Sequence, residues 1–374
     1  MSHLDEKLMQ ETEKGNVEEV KELLKQGADV KFQDEKGRTP LMSATQQNNI
    51  PLAKALIDAG SDVNQRDNMM LTPWICAAAN GFYEILELGA SHADVKLANR
   101  FGGTALLPSS EKGFLKAVDV AIKAGVPVNH INDLGWTALQ EAVVLGDGGS
   151  LYRLILKMLM NEGADPTTLD HDDKTAIDWA KEYGQKDVLA ILEDTYDKEQ
   201  PEEKAITNIL RLLSEDDFDT ALNEAEKGLE EYKTVTFYFL KGYLLTLQKK
   251  YEEGIAVYEE GMKADNNNPE FYFYIANALR EQKKVDEALA AYQKAIDTDE
   301  KYFYFRYHLS NYLRELGRHE QAIREMDTLL DQNPGRYDYL FHKANSLRVL
   351  GKGEEADHLL ANAKKSNHKE GGAE

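Results

Sequence analysis

Tyr196-Asp197-Lys198-Glu199-Gln200-Pro201-Glu202-Glu203-Lys204 is the stretch at which this chain changes its rule. It is charged, contains a proline and lacks apolar periodicity, as a short inter-domain linker does. Before it, Thr39, Thr72, Thr104, Thr137 and Thr175 are spaced by 33, 32, 33 and 38 residues. Gly27, Gly60, His92, Gly125 and Gly163 keep the same four spacings. Two independent markers sharing one irregularity identify real repeats. After the stretch, Ala221, Gly254, Ala288, Ala322 and Ala356 recur at 33, 34, 34 and 34. The reading is an all-α chain of two tandem solenoids: residues 1–195, a linker over 196–204, a second array over 205–365 and a flexible tail over 366–374.

The composition excludes several functions. Through Thr195 there are 19 basic and 31 acidic residues, and the remainder has 25 and 35. Neither half offers the cationic face that a phosphate backbone or an anionic membrane surface requires, so no nucleic acid and no membrane partner is expected. A hydrophobic content of 42% is too high for a mostly disordered chain. Cys76 is the single cysteine, which removes intrachain disulfides and Cys-based metal sites. Met1-Ser-His-Leu-Asp-Glu-Lys has neither the basic start nor the apolar core of a signal peptide, and no apolar run is long enough to span a bilayer. A cytoplasmic protein is expected.

In the first array, Thr39-Pro40 and Thr72-Pro73 place a capping hydroxyl before a proline suited to the first helical turn. A short helix over Leu41–Gln47, a break at Asn48-Asn49 and a second helix over Pro51–Ala59 follow, with Gly60 placed to end it. The polar run from Asn64 to Met70 then projects as a turn. Thr39-Pro40-Leu41-Met42-Ser43-Ala44 and Gly27-Ala28-Asp29 resemble the ankyrin repeat over nearly all of residues 4–195, giving six units with the first as a cap. Three departures stand out. His92 replaces a helix-ending glycine, Leu107-Pro108-Ser109-Ser110 interrupts a first helix, and Gly146-Asp147-Gly148-Gly149-Ser150 inserts five residues between helices. Gly135-Trp136-Thr137-Ala138-Leu139 with that insertion looks like bacterial ankyrin proteins.

The resemblance implies partners at the hairpin tips and on the exposed face of the first helices. Those positions are Arg66, Met69, Met70, Leu71, Arg100, Phe101, Ile131, Leu134, Trp136, Leu145 and Tyr183. Trp136 and Leu71 have an alternative place, packed against the next unit. Met69, Met70 and Phe101 have a stronger claim to the surface, because apolar side chains at turn tips gain nothing from folding, and exposed apolar patches mark interaction sites.

In the second array, Gly242, Ala276, Ser310 and Ala344 lie twelve residues before the last four anchors, so small residues at both places let antiparallel helices approach closely. This part resembles the tetratricopeptide repeat, clearly in the last four units and only in its second-helix half for the first, Ala205–Tyr232. In such an array the first helices line a concave groove. Residues at i, i+4 and i+7 share one helix side. They are Phe239 and Tyr243; Phe273, Asn277 and Arg280; Tyr307, Asn311 and Arg314; and Phe341, Asn345 and Arg348. A guanidinium repeated in three units of an acidic chain points to carboxylates, from acidic segments or free C-termini of partner peptides. The competing expectation is that these arginines pair with Glu281, Glu315 and other acids of the chain.

Nothing points to chemistry. Asp170-His171-Asp172-Asp173 invites a metal reading, but it falls on a hairpin tip and no further ligands stand at suitable spacing. Gly146-Asp147-Gly148-Gly149 is too loose for a phosphate loop and follows no strand. No cofactor is expected and no enzyme. The function expected is a non-catalytic adaptor or scaffold that binds protein through both arrays, the alternative being a dedicated inhibitor or immunity-type protein for one target.

Overall fold

The computed structural model describes residues 3–298 and 303–370, and every regular element among them is an α-helix. The chain divides into two units, Met1–Tyr196 and Asp197–Glu374.

The first unit consists of six helix pairs. They are α1 (His3–Glu13) and α2 (Val17–Lys25), α3 (Pro40–Gln46) and α4 (Ile50–Asp58), and α5 (Pro73–Asn80) and α6 (Tyr83–Gly89). Then come α7 (Leu106–Glu111) and α8 (Leu115–Lys123), α9 (Ala138–Val144) and α10 (Ser150–Asn161), and α11 (Ala176–Glu182) and α12 (Lys186–Leu192). First helices pack on first helices and second on second, giving two layers. Leu41, Leu52, Leu56, Leu86 and Leu115 are buried between them, each contributing roughly 1.5–3 kcal/mol.

The threonine marker works as a cap. The hydroxyls of Thr39, Thr72, Thr137 and Thr175 accept from the backbone N–H three residues on, at 3.1–3.3 Å. Thr104 does not: α7 starts one residue later, and the buried Thr104 hydroxyl has no hydrogen-bond partner.

Pro108 does not interrupt that helix, contrary to expectation. It is the third residue of α7, within the first turn, where an N–H has no intrahelical partner to lose. At His92 the expected irregularity is present. Gly27, Gly60, Gly125 and Gly163 each take positive φ just past a second helix, whereas His92 does not. The five-residue insertion lies between α9 and α10 and is pinned by Tyr152. The Tyr152 hydroxyl donates to the Glu111 carbonyl at 2.7 Å, and its ring fills the space where a Cβ on Gly146 would sit, 2.5 Å away.

The second unit has five pairs: α13 (Pro201–Ser214) and α14 (Phe218–Tyr232), α15 (Val235–Leu247) and α16 (Tyr251–Ala264), and α17 (Glu270–Glu281) and α18 (Val285–Thr298). The last two are α19 (Phe303–Glu315) with α20 (His319–Gln332) and α21 (Tyr337–Val349) with α22 (Gly353–Glu370). The small anchors are sockets for aromatic rings. A Cβ on Gly242 would stand 2.2 Å from the Tyr258 ring, and one on Gly228 would stand 2.0 Å from Phe237.

Two boundaries differ from the sequence expectation. Pro201 is the first residue of α13, a position where its fixed φ suits a helix, so the last four residues of the expected linker are helical and the first repeat of the second unit has a full first helix. At the other end α22 runs to Glu370, so residues 366–370 of the expected tail are helical, while 371–374 lie outside the described residues. Cleavage at Glu199 is expected to release two helical fragments, because solenoid units depend on their sequence neighbours. Circular dichroism of each fragment checks this; loss of structure in either would show that one array depends on the other.

Candidate protein-binding surfaces

Each hairpin tip of the first unit is built the same way. Asp34, Asp67, Asn99, Asn132 and Asp170 open the five tips, and each backbone N–H donates to the carbonyl four residues on at 2.9–3.0 Å. In every tip the Oδ1 atom of that first residue accepts two backbone N–H groups, two and four residues further along. The fourth tip residue is left-handed throughout: Gly37, Met70, Gly102, Gly135 and Asp173. Adjacent tips are also joined. The Asn68 N–H donates to the Lys36 carbonyl and the Asp133 N–H to the Phe101 carbonyl, both at 3.0 Å, and Arg66 Nη2 donates to the Ala98 carbonyl at 2.8 Å.

This frame leaves an apolar edge in solvent. Met69, Met70 and Ile131 are 46%, 44% and 48% exposed, and Leu169 is 58% exposed. Phe101 and Leu134 are half-buried. The Arg100 guanidinium lies 4.6 Å over the Phe101 ring, with Nη1 4.0 Å from Met69 Sδ. Met69, Met70, Ile131 and Arg100 are therefore on the surface as expected, and Arg66 is half-buried.

Trp136 is a correction. It is 5% exposed, and its indole donates to Asp170 Oδ2 at 3.0 Å, the same oxygen that accepts from Trp179 at 2.7 Å. A ring at the end of one tip is covered by the next unit. Leu145, just past α9, is also buried, and Leu71 and Tyr183 are half-buried. Asp170 thus serves as a structural acceptor, and among the described residues no group of three or more His, Cys, Asp or Glu is placed to hold a metal ion. Leu169 was missed, although it stands 38 residues after Ile131, the offset that Thr175 keeps from Thr137.

Met70 has φ 60° where three of the five tips use glycine. Relief of that conformation in Met70→Gly gains about 1–2 kcal/mol, against about 0.4–1 kcal/mol for the freer unfolded chain. The variant is expected to be about 0.5–1 kcal/mol more stable in urea while losing exposed apolar area. Clear destabilisation would place Met70 among packed residues.

The second unit's expected groove side chains are largely inside it. Phe239, Phe273 and Tyr307 are buried. The Phe273 ring meets Tyr304 at 5.4 Å and His308 at 5.2 Å, both on the next first helix. Tyr243 and Phe341 are half-buried. Asn277 is also half-buried, and its Oδ1 accepts from the Tyr292 hydroxyl at 3.0 Å. Asn311 and Asn345 are buried.

The arginines do not form a free ladder. Arg280 pairs with Glu315 at 2.6 Å and lies 5.3 Å from the Tyr312 ring centroid. Burial pushes its guanidinium down, and Glu315, Tyr292 and Tyr312 together outweigh this to hold it above its ordinary value. Arg348 pairs with Asp357 at 2.8 Å, and Arg314 Nη2 donates to Asn311 Oδ1. Helical spacing groups these residues on one side, and neighbouring helices occupy much of it, with Arg280 and Arg348 paired to carboxylates of the chain itself. Two donors remain without a partner there, Asn345 Nδ2 and Arg314 Nε.

Comparison with known proteins matches two kinds of repeat in this chain. A family model described as ankyrin repeats (three copies) matches residues 8–88 and 75–170. Models described as tetratricopeptide repeat match residues 207–269, 245–309 and 279–345. The ankyrin repeat protein YahD of Escherichia coli (strain K12) is 32% identical over 182 residues, which cover 48% of this chain and 90% of that protein. A crystal structure of an ankyrin repeat domain from Acinetobacter baumannii AYE is 41% identical, covering 50% of this chain and 96% of that one, with a TM-score of 0.49.

Proposed function

From the premise that this chain belongs to the ankyrin-repeat proteins and carries tetratricopeptide repeats behind them, we propose that it is a non-catalytic adaptor that binds one protein on its ankyrin hairpin edge and a peptide on its second array. Both repeat types indicate protein–protein interaction. The observation that carries the adaptor reading is the exposed apolar edge at Met69, Met70, Ile131 and Leu169. Four large apolar side chains held in solvent along successive tips contribute little to folding, and exposed apolar surface of this kind serves association. In the second array, Asn345 Nδ2 and Arg314 Nε are unmet donors on adjacent first helices. Both are closed off from solvent, so the peptide reading of this array rests on its repeat family.

Replacing Met69, Met70 and Phe101 by Ser is the test. Partner capture by the immobilised full chain is expected to fall at least about tenfold, a loss of about 1.4 kcal/mol, with a thermal midpoint close to wild type. A large drop in the midpoint would show that these are core residues, and the edge would lose its role.

A further inference from the structure

We propose that the hairpin edge takes an amphipathic helix whose charge is split end to end, acidic where it meets Arg66 and Arg100 and basic where it meets the last two tips. The inference rests on the adaptor reading above and specifies the occupant of that same edge.

The first argument concerns the backbone. An extended peptide gains affinity on an edge that offers unpaired N–H and C=O groups. Here the opening and closing residues of each tip bond each other. Oδ1 of the first residue consumes two further N–H groups. The N–H of the second residue is spent on the neighbouring tip at Asn68 and Asp133. Little backbone is left for a strand to pair with, so the partner must be read through side chains. A helix satisfies its own backbone and presents an apolar stripe, which suits Met69, Met70, Ile131 and Leu169.

The second argument is charge. Along this edge Arg66 and Arg100 stand at the tips of the second and third units, with Asp67 tied to its own backbone. Asp133 is exposed at the next tip, and Asp172 and Asp173 are exposed at the last. Apolar side chains recur along these tips, with arginine beside the second and third and exposed aspartate at the fourth and fifth. A uniformly acidic or uniformly basic helix meets repulsion over half its length, and a split one does not.

Three designed peptides of about 18 residues, long enough for about 27 Å of helix, would share one leucine stripe and carry flanking charges that are split, all Glu or all Lys. Fluorescence anisotropy against the full chain is expected to show the split peptide binding about tenfold tighter than either of the others, with the margin shrinking as salt is raised. Arg100→Glu should turn the preference toward the all-Lys peptide. Equal affinity for the three, abolished by Met69→Ser with Met70→Ser, would overturn the polarity while leaving the edge as the binding surface. Peptide binding untouched by those serines, or no binding of any peptide, would overturn the proposal; the first of these would count against the edge as well.

Discussion

Asp170→Ala is expected to destabilise the first unit by about 3–5 kcal/mol, the largest effect of any single polar substitution considered. Asp170 Oδ2 accepts from the indoles of Trp136 and Trp179 at 3.0 and 2.7 Å, and all three residues are buried. Its Oδ1 accepts from the backbone N–H groups of Asp172 and Lys174 at 2.9 and 3.0 Å. Each buried donor left unmet costs about 1–3 kcal/mol, and both indoles are buried. Asp170→Asn is expected to cost less, about 1–3 kcal/mol, because an amide offers one oxygen to two pairs of donors and must turn its own N–H groups toward the other pair. Trp74, Trp136 and Trp179 are the only tryptophans in the chain, so indole fluorescence in urea follows this unit alone. A shift below about 1 kcal/mol for the Ala variant would show that water reaches the indoles.

Gly242→Ala is the second large effect, and its sign opposes helix propensity. In an open helix the change would gain about 1 kcal/mol. Here the added Cβ stands 2.2 Å from the Tyr258 ring, which is fully enclosed. Overpacking of this kind costs about 1–3 kcal/mol, and more where the neighbour cannot turn away. A net loss of about 1–2 kcal/mol is expected, seen by circular dichroism with the tryptophan signal unmoved. Tyr258→Leu should absorb much of it, so the double variant should be less destabilised than the two losses added. Strict additivity would mean that the ring and the glycine do not share the space.

The repeats were legible because their markers act locally. Thr39 caps its own helix and Gly60 ends its own helix, so neither depends on distant sequence. The site was legible only in part, because exposure is decided by the neighbouring unit. Leu134 and Trp136 lie two residues apart in one tip, yet the first is half-buried and the second is held by Asp170, thirty-four residues on. Phe273 and Tyr307 have the spacing of a groove face, but the next first helix brings its own rings onto that side. The tip-opening Asp34, Asp67, Asn99, Asn132 and Asp170 were visible at the threonine spacing. What sequence did not reveal is how much of the tip backbone they occupy.

The division of labour within a tip has an evolutionary consequence. The first residue holds the loop through its side chain, and the fourth accepts the unusual backbone turn. The third side chain has no such duty, and its occupants are Lys36, Met69, Phe101, Leu134 and Asp172: a cation, a thioether, an aromatic ring, an aliphatic group and an anion. Mutations at these five positions leave the backbone bonds of the tip in place. On the adaptor reading, a lineage carrying this chain can exchange one binding preference for another by single substitutions that spare the tip's backbone bonds.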